Sequence, residues 1–286
     1  MNDSAYPLNM FRNRCKAGEM GRSALYLHWH DHFEWIYMVS GRAVFHIDTL
    51  HYEAQPEDLL LVPRGSLHVG YAAVEEEVEY WSLVFNPSML GGMLGDPVHD
   101  HYLAPFLEGK LRFPVHYDSR EPEFQAARDI MRLIKREYEH KPRAYELVVK
   151  AQLYLLFSLL ARRYLPERGM EPLASADKRM ERFKSLILHI QANFGDKLTL
   201  SEASQFVNLT PYHFCKVFKS ATGRTFVDFV NRIRMDEAER LLRTGSLTVT
   251  EVAERVGCGN LNYFTKLFKQ IKGTTPSIAR KNGEGL

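Results

Sequence analysis

The sequence predicts an α+β multidomain chain: a small β-barrel or sandwich, then two helices, then an all-α C-terminal third. Three observations point there. Up to about residue 120, short runs of β-branched and aromatic residues alternate with turn residues, as in AVFHIDTLHYEA (43–54) and DLLLVPRGSLH (58–68). The stretch PERGMEPLASAD (166–177) breaks two helical patterns with Pro, Gly and small polar residues, as a linker does. Beyond that stretch the chain repeats itself.

With 286 residues, 45% hydrophobic and 25% charged, the composition is that of an ordinary globular protein. At ~100–200 residues per domain the length suits two domains. The N-terminus, MNDSAYPLNMFRNRCK, lacks the apolar core of a signal peptide. The longest apolar run, LYLLFSLLA (153–161), falls short of the ~20 residues of a membrane span. Cys15, Cys215 and Cys258 are odd in number and scattered, which argues against a disulfide framework and for a reducing compartment. A cytoplasmic protein with no membrane partner is expected. Charge is unevenly spread: from Lys178 onward 18 Lys and Arg face 10 Asp and Glu, whereas the preceding part holds 19 and 25. A basic end on an acidic body is a common footprint of nucleic-acid binding.

The first segment (1–120) carries its chemistry in LHWHDHFEWIYMVSG (27–41). His28, His30, Glu34 and Gly41 fit H-x-H-x3-E-x6-G, and Pro63, Gly65 and His68 fit P-x-G-x-x-H downstream. Imidazole and carboxylate are ligands for divalent metals. On one strand, His28, His30 and Glu34 share parity and point to one face, with Trp29, Trp35 and Tyr37 on the other. The two motifs together resemble the cupin barrel. That resemblance implies three histidines and a glutamate presented to one metal from neighbouring strands. Glu57 departs from it, standing where a glycine usually opens the second motif.

Two amphipathic helices follow within 121–165, roughly Pro122 to His140 and Ala144 to Leu165. The second, YELVVKAQLYLLFSLLARRYL, is apolar round most of its circumference and needs partners on more than one side, either a second copy or the barrel.

After the linker, residues 178–286 hold the repeat. Leu198, Thr199, Glu202 and Val207 recur as Leu247, Thr248, Glu251 and Val256. After a one-residue insertion, Phe214, Lys216, Phe218, Lys219, Gly223 and Thr225 recur as Phe264, Lys266, Phe268, Lys269, Gly273 and Thr275. Each copy opens with threonine and a glutamate three residues on, a capping-box signature. A short helix, a tight turn (208–210; 257–259) and a second helix with phenylalanines at i and i+4 complete a helix-turn-helix. The phenylalanines are core; the opposite faces are candidates for DNA contact. Between the copies, FVDFVNRIRMDEAERLLRTG reads as one helix of about twenty residues, roughly 30 Å long. One turn of B-DNA is ~34–36 Å, so two recognition helices so held match successive major grooves.

The C-terminal hundred residues resemble the DNA-binding domain of the AraC/XylS family of bacterial transcription regulators. Gly257, Tyr263, Phe264, Phe268, Lys269, Gly273, Thr275 and Pro276 carry the family signature, with Cys258 and Ala279 in places where aromatics are usual. The resemblance implies base-edge contacts from Tyr212, Cys215 and Lys216 in the first copy and from Asn262, Thr265 and Lys266 in the second. Lysine suits guanine and asparagine suits adenine. Lys219, Lys269 and Arg224 are expected on phosphate, and His213 and Asn260 join the expected DNA face.

In regulators of this kind the N-terminal domain is also cupin-like and takes a small molecule, often a sugar. The resemblance therefore implies an effector site at His28, His30, Glu34 and His68, with Trp35, Tyr37 and Trp81 as stacking candidates, although strand parity argues against Trp35 and Tyr37. Three readings of the histidines stand: a metal-free effector pocket, a metal site at the same four residues for sensing or structure, or side chains filling the barrel mouth. The expected protein is a DNA-binding regulator rather than an enzyme. It needs no cofactor, works as a homodimer on promoter half-sites, and has a saccharide effector and RNA polymerase as candidate partners. The alternative is a cupin metalloenzyme or metal sensor fused to a DNA-binding domain.

Overall fold

The structure, a computed structural model, describes residues 7–16, 23–72, 77–92, 96–165 and 176–281. All but the last two residues of the expected linker lie outside them. The chain divides into two compact units, Met1–Ala174 and Ser175–Leu286.

Among the described residues, nine strands build the first unit: β1 (Leu8–Cys15), β2 (Ser23–His28), β3 (Phe33–Ser40), β4 (Ala43–Ile47), β5 (Leu50–Ala54), β6 (Leu59–Val62), β7 (His68–Ala72), β8 (Val78–Phe85) and β9 (His116–Tyr117). They form two antiparallel sheets, ordered β1-β8-β3-β6-β9 and β2-β7-β4-β5. Ile36, Met38, Leu60, Val62 and Tyr80 of the first sheet meet Phe45 and Ile47 of the second in a closed interior. The residues between them along the strands, Trp35, Tyr37, Leu59, Leu61 and Leu83, face outward and are covered by helices. β3 is thus buried on both faces, which is why FEWIYMV lacks apolar–polar alternation.

The short helices α1 (Pro97–Tyr102) and α2 (Ala104–Leu107) precede α3 (Gln125–His140) and α4 (Tyr145–Tyr164). Val149, Leu153, Leu156, Phe157 and Leu160 of α4 are buried in the outer core with Leu8, Phe33 and Phe85. Leu147 and Leu155 are exposed, so one stripe of this apolar helix packs at home and another is open.

The second unit comprises α5 (Ala176–Ala192), α6 (Leu200–Phe206), α7 (Pro211–Thr222), α8 (Phe226–Arg243), α9 (Val249–Arg255), α10 (Leu261–Lys272) and α11 (Pro276–Lys281). Both capping boxes form: Thr199 with Glu202, and Thr248 with Glu251. Each helix-turn-helix turn uses left-handed backbone, at Asn208 (φ 56°) and Gly257 (φ 74°). Asparagine tolerates that region better than most residues with a Cβ, which is why it serves where the second copy has glycine. Gly223 and Gly273 end α7 and α10 in the same conformation, their N–H groups donating to Lys219 and Lys269 carbonyls. Phe214, Phe218, Phe264 and Phe268 are fully buried. Cys258 and Ala279 are buried beside Phe264 and Phe268, so the two departures from the signature are core substitutions.

Candidate functional site

Four side chains converge at one end of the barrel interior. His28 closes β2, His30 lies in the turn after it, Glu34 sits on β3 and His68 opens β7. The expectation of one histidine-rich strand therefore fails, because the chain turns between His28 and Phe33. Proximity comes from that turn and from the pairing of His28 opposite His68 in the β2–β7 ladder. One ligand atom from each of the four lies within 4.8 Å of every other.

Hydrogen bonds fix the orientation of each imidazole. His28 Nδ1 is 2.7 Å from the Tyr26 carbonyl, His68 Nδ1 is 2.8 Å from that of Ser66, and His30 Nδ1 is 3.2 Å from that of His32. A carbonyl can only accept, so each Nδ1 carries the proton and a neutral ring presents the Nε2 lone pair inward. His30 Nε2 and His68 Nε2 lie 3.2 and 3.1 Å from Glu34 Oε2. Burial alone would push the Glu34 carboxyl up, but the contacts with His30 and His68 outweigh it and hold the group well below the usual carboxylate range. Burial pulls His30 down, yet its bond to Glu34 wins and its pKa is raised; burial and the neighbouring His68 lower that of His28. Two Nε2 lone pairs aimed at a carboxylate need a positive charge between them, supplied by a proton or by a metal ion.

The motif residues around the cluster brace it. Gly65 N–H donates to the His30 carbonyl at 2.8 Å from left-handed backbone (φ 72°), which accounts for the glycine. Asp48, itself left-handed (φ 52°), accepts from Ser66 Oγ at 3.0 Å and from Leu67 N–H at 3.1 Å, holding the turn that delivers His68. Its role was not read from the sequence. The signal was an Asp in a hairpin turn, where such backbone is common.

Trp35, Tyr37 and Trp81 do not join the histidines. Trp35 is fully buried against Tyr117, ring centroids 5.6 Å apart. All three point to the outer, helix-covered face of the first sheet while Glu34 points inward, so a saccharide at the histidines cannot stack on them. Glu57, at the glycine position of the second motif, keeps glycine-like backbone (φ 73°). Its carboxylate accepts from Tyr37 Oη at 2.7 Å and pairs with Arg132 of α3.

On the second unit, Tyr212, His213, Cys215, Lys216 and Lys219 are exposed on α7, and Asn262, Lys266 and Lys269 on α10, opposite the buried phenylalanines. Thr265 is half-buried. Two of the expected contacts are engaged elsewhere. Arg224, in the turn between α7 and α8, is mostly buried, and its guanidinium lies 3.2 Å from the Asp228 carboxylate in the first turn of α8. Asn260 caps α10, its Oδ1 accepting from Tyr263 N–H at 2.9 Å, which leaves only its amide nitrogen free of the cap. Sequence reading missed the braces behind the helices. Lys272 of α10 lies 2.6 Å from both Asp236 and Glu239 of α8. Arg234 of α8 donates to the carbonyls of Phe194 and Asp196 at 2.8 Å each.

Comparison with known proteins agrees with this division. A model described as "AraC-like ligand binding domain" matches residues 17–157, and one described as "Helix-turn-helix domain" matches residues 203–282. The chain is 23% identical over 256 residues to the uncharacterized HTH-type transcriptional regulator YdeC of Bacillus subtilis, covering 89% of this chain and 86% of that protein. It is 34% identical over 100 residues to the regulatory protein PocR of Salmonella typhimurium, covering 35% of this chain and 33% of PocR. Among solved structures, ToxT of Vibrio cholerae matches at 14% identity and a TM-score of 0.39, over 95% of this chain and 97% of that one. Among the described residues, no helix is long and apolar enough to cross a membrane.

Proposed function

For a chain that belongs to the AraC-type transcription regulators, with a ligand-binding domain and a DNA-binding helix-turn-helix domain, we propose a metal-dependent sensor. His28, His30, Glu34 and His68 hold a divalent transition metal at the barrel mouth. The observation that carries this reading is the set of three Nδ1 bonds to backbone carbonyls, which leaves three Nε2 lone pairs and a carboxylate converging on one point. Three imidazoles and one carboxylate suit zinc, iron, nickel or manganese. Bound there, the metal supplies a Lewis-acidic position for an oxygen-rich effector. A saccharide is the effector expected from the family resemblance, and its hydroxyls would meet the metal rather than a tryptophan platform.

On the DNA side, Lys216, Asn262 and Lys266 read base edges, with Tyr212, Cys215 and Thr265 beside them. Lys219 and Lys269 hold phosphate, and His213 and the amide of Asn260 flank the same surface. The open stripe of α4 at Leu147 and Leu155 forms the homodimer seam, so that two DNA-binding units meet two promoter half-sites. Effector at the barrel mouth changes how those units are presented, and RNA polymerase responds to the result.

The test is metal analysis of untagged full-length protein, paired with thermal shift against divalent metals and a saccharide panel. A stoichiometric metal that is absent from His68→Ala, and a saccharide shift that needs the metal, are expected. A saccharide shift that survives chelation returns the cluster to a metal-free pocket. No shift with either would defeat the sensing role.

A further inference from the structure

A second cavity lies on the opposite face of the first sheet from the histidines, where α3 crosses β1, β3 and β8. It has a volume of about 360 Å³ and is lined by Arg12, Tyr37, Val39, Glu79, Trp81, Arg132, Lys135, Arg136 and Glu139. That volume lies within the usual range for small-molecule sites. We propose that this groove binds a small organic anion with a flat apolar body, at a site separate from the histidine cluster.

Its floor is aromatic and its rim is cationic. Lys135 Nζ stands 4.6 Å from the Trp81 ring centroid and Arg12 Cζ stands 5.9 Å from it. Tyr37 and Val39 extend the apolar floor along β3. Most of these cations already have acids. Arg12 makes a two-point bond to Glu79 at 2.7 and 3.1 Å, and Lys135 lies 3.0 Å from Glu139. Arg132 is held by Glu57, by Asp129 at 2.9 Å and by Tyr37 Oη at 3.1 Å. Arg136 differs, since among the described residues no acid pairs with its guanidinium. A ligand carboxylate supplies that acid and suits the guanidinium's forked geometry, while the flat body takes the place of the Lys135 ammonium over the Trp81 ring.

One end of the groove is also built at a cost. Glu57 adopts left-handed backbone (φ 73°), which residues with a Cβ avoid, and its carboxylate ties Tyr37 of the barrel to Arg132 of α3. The groove wall is therefore fixed before any ligand arrives. Because α3 forms one side, an occupant bears on the helix pair that leads out of the barrel. This site does not depend on the metal reading, since side chains alternate across the sheet and the two sites occupy opposite faces.

The experiment is calorimetric titration of full-length protein with 2-naphthoate, with its neutral alcohol, 2-naphthylmethanol, and with inorganic phosphate. Saturable naphthoate binding is expected, roughly tenfold weaker in Arg136→Gln, as for the loss of one charge-assisted pair. Arg136 is exposed, so this variant should melt like the parent. The alcohol and phosphate should each bind more weakly than naphthoate, and His68→Ala should leave naphthoate affinity unchanged. Absence of saturable naphthoate binding, equal affinity in Arg136→Gln, phosphate binding as tight as naphthoate, or loss of binding in His68→Ala would each overturn the proposal.

Discussion

Replacing Gly257 by alanine tests how the turn of the second helix-turn-helix places α10. The comparison variant is Gly273→Ala, because the two glycines share nearly the same backbone (φ 74° and 72°). A Cβ at Gly273 meets nothing within 4 Å, so only the left-handed conformation is charged against it, about 1–2 kcal/mol. A Cβ at Gly257 would lie 2.4 Å from the Gly195 carbonyl oxygen and 2.9 Å from its carbon, where ordinary contact begins at 3.4 Å. Both obstacles are backbone, so the turn must move by about 1 Å, a displacement that costs roughly 1–3 kcal/mol in a packed region. Its neighbours Val256 and Cys258 are 0% and 3% exposed and must move with it. The total is about 2–5 kcal/mol. At roughly 4 °C per kcal/mol for a unit of this size, Gly273→Ala should lower the melting temperature by about 4–8 °C and Gly257→Ala by about 8–20 °C. Thermal unfolding followed by circular dichroism reads both. Titration with a DNA duplex should show Gly257→Ala losing more specific affinity than Gly273→Ala. Equal melting temperatures for the two variants would refute the argument from close approach.

Lys216→Ala and Lys266→Ala should each weaken specific DNA binding by ~1–3 kcal/mol while changing binding to unrelated DNA less; Lys269→Ala should weaken both alike and reduce the salt slope by about one. Arg224→Ala should leave that slope unchanged, since its guanidinium is committed to Asp228, and a reduced slope would restore it as a phosphate contact. Thr199→Ala and Thr248→Ala should each cost about 1 kcal/mol in urea unfolding, because each removes one arm of a formed capping box. Burial raises the Glu239 carboxyl, but its bond to Lys272 outweighs that and leaves the pKa below its ordinary 4.5. Its contribution to stability is therefore present above pH 4.5 and disappears as pH falls through the depressed value. Lys272→Met should flatten that part of the stability–pH curve, and an unchanged curve would show that the pair contributes nothing measurable.

The sequence by itself determined the elements whose causes are local. The capping threonines, the glycines after α7 and α10, the Phe214/Phe218 and Phe264/Phe268 spacing and the repeat register are each set within one turn of helix. They gave the double helix-turn-helix because short-range hydrogen bonds and one apolar stripe suffice to specify it. The barrel residues His28, His30, Glu34 and His68 were legible as a set, but for an incomplete reason. Period-2 parity on one strand was the argument, whereas β2 ends at His28 and the cluster closes through a turn and a long-range ladder. Tertiary structure alone decided what the other side chains meet. It placed Trp35 and Tyr37 under helices from a hundred residues away, gave Arg224 to Asp228 and Asn260 to a cap, and turned the odd Glu57 into a tie to α3. A sequence pattern fixes which face a residue takes. Which partner waits on that face depends on chain segments far off in sequence, and only folding brings them there.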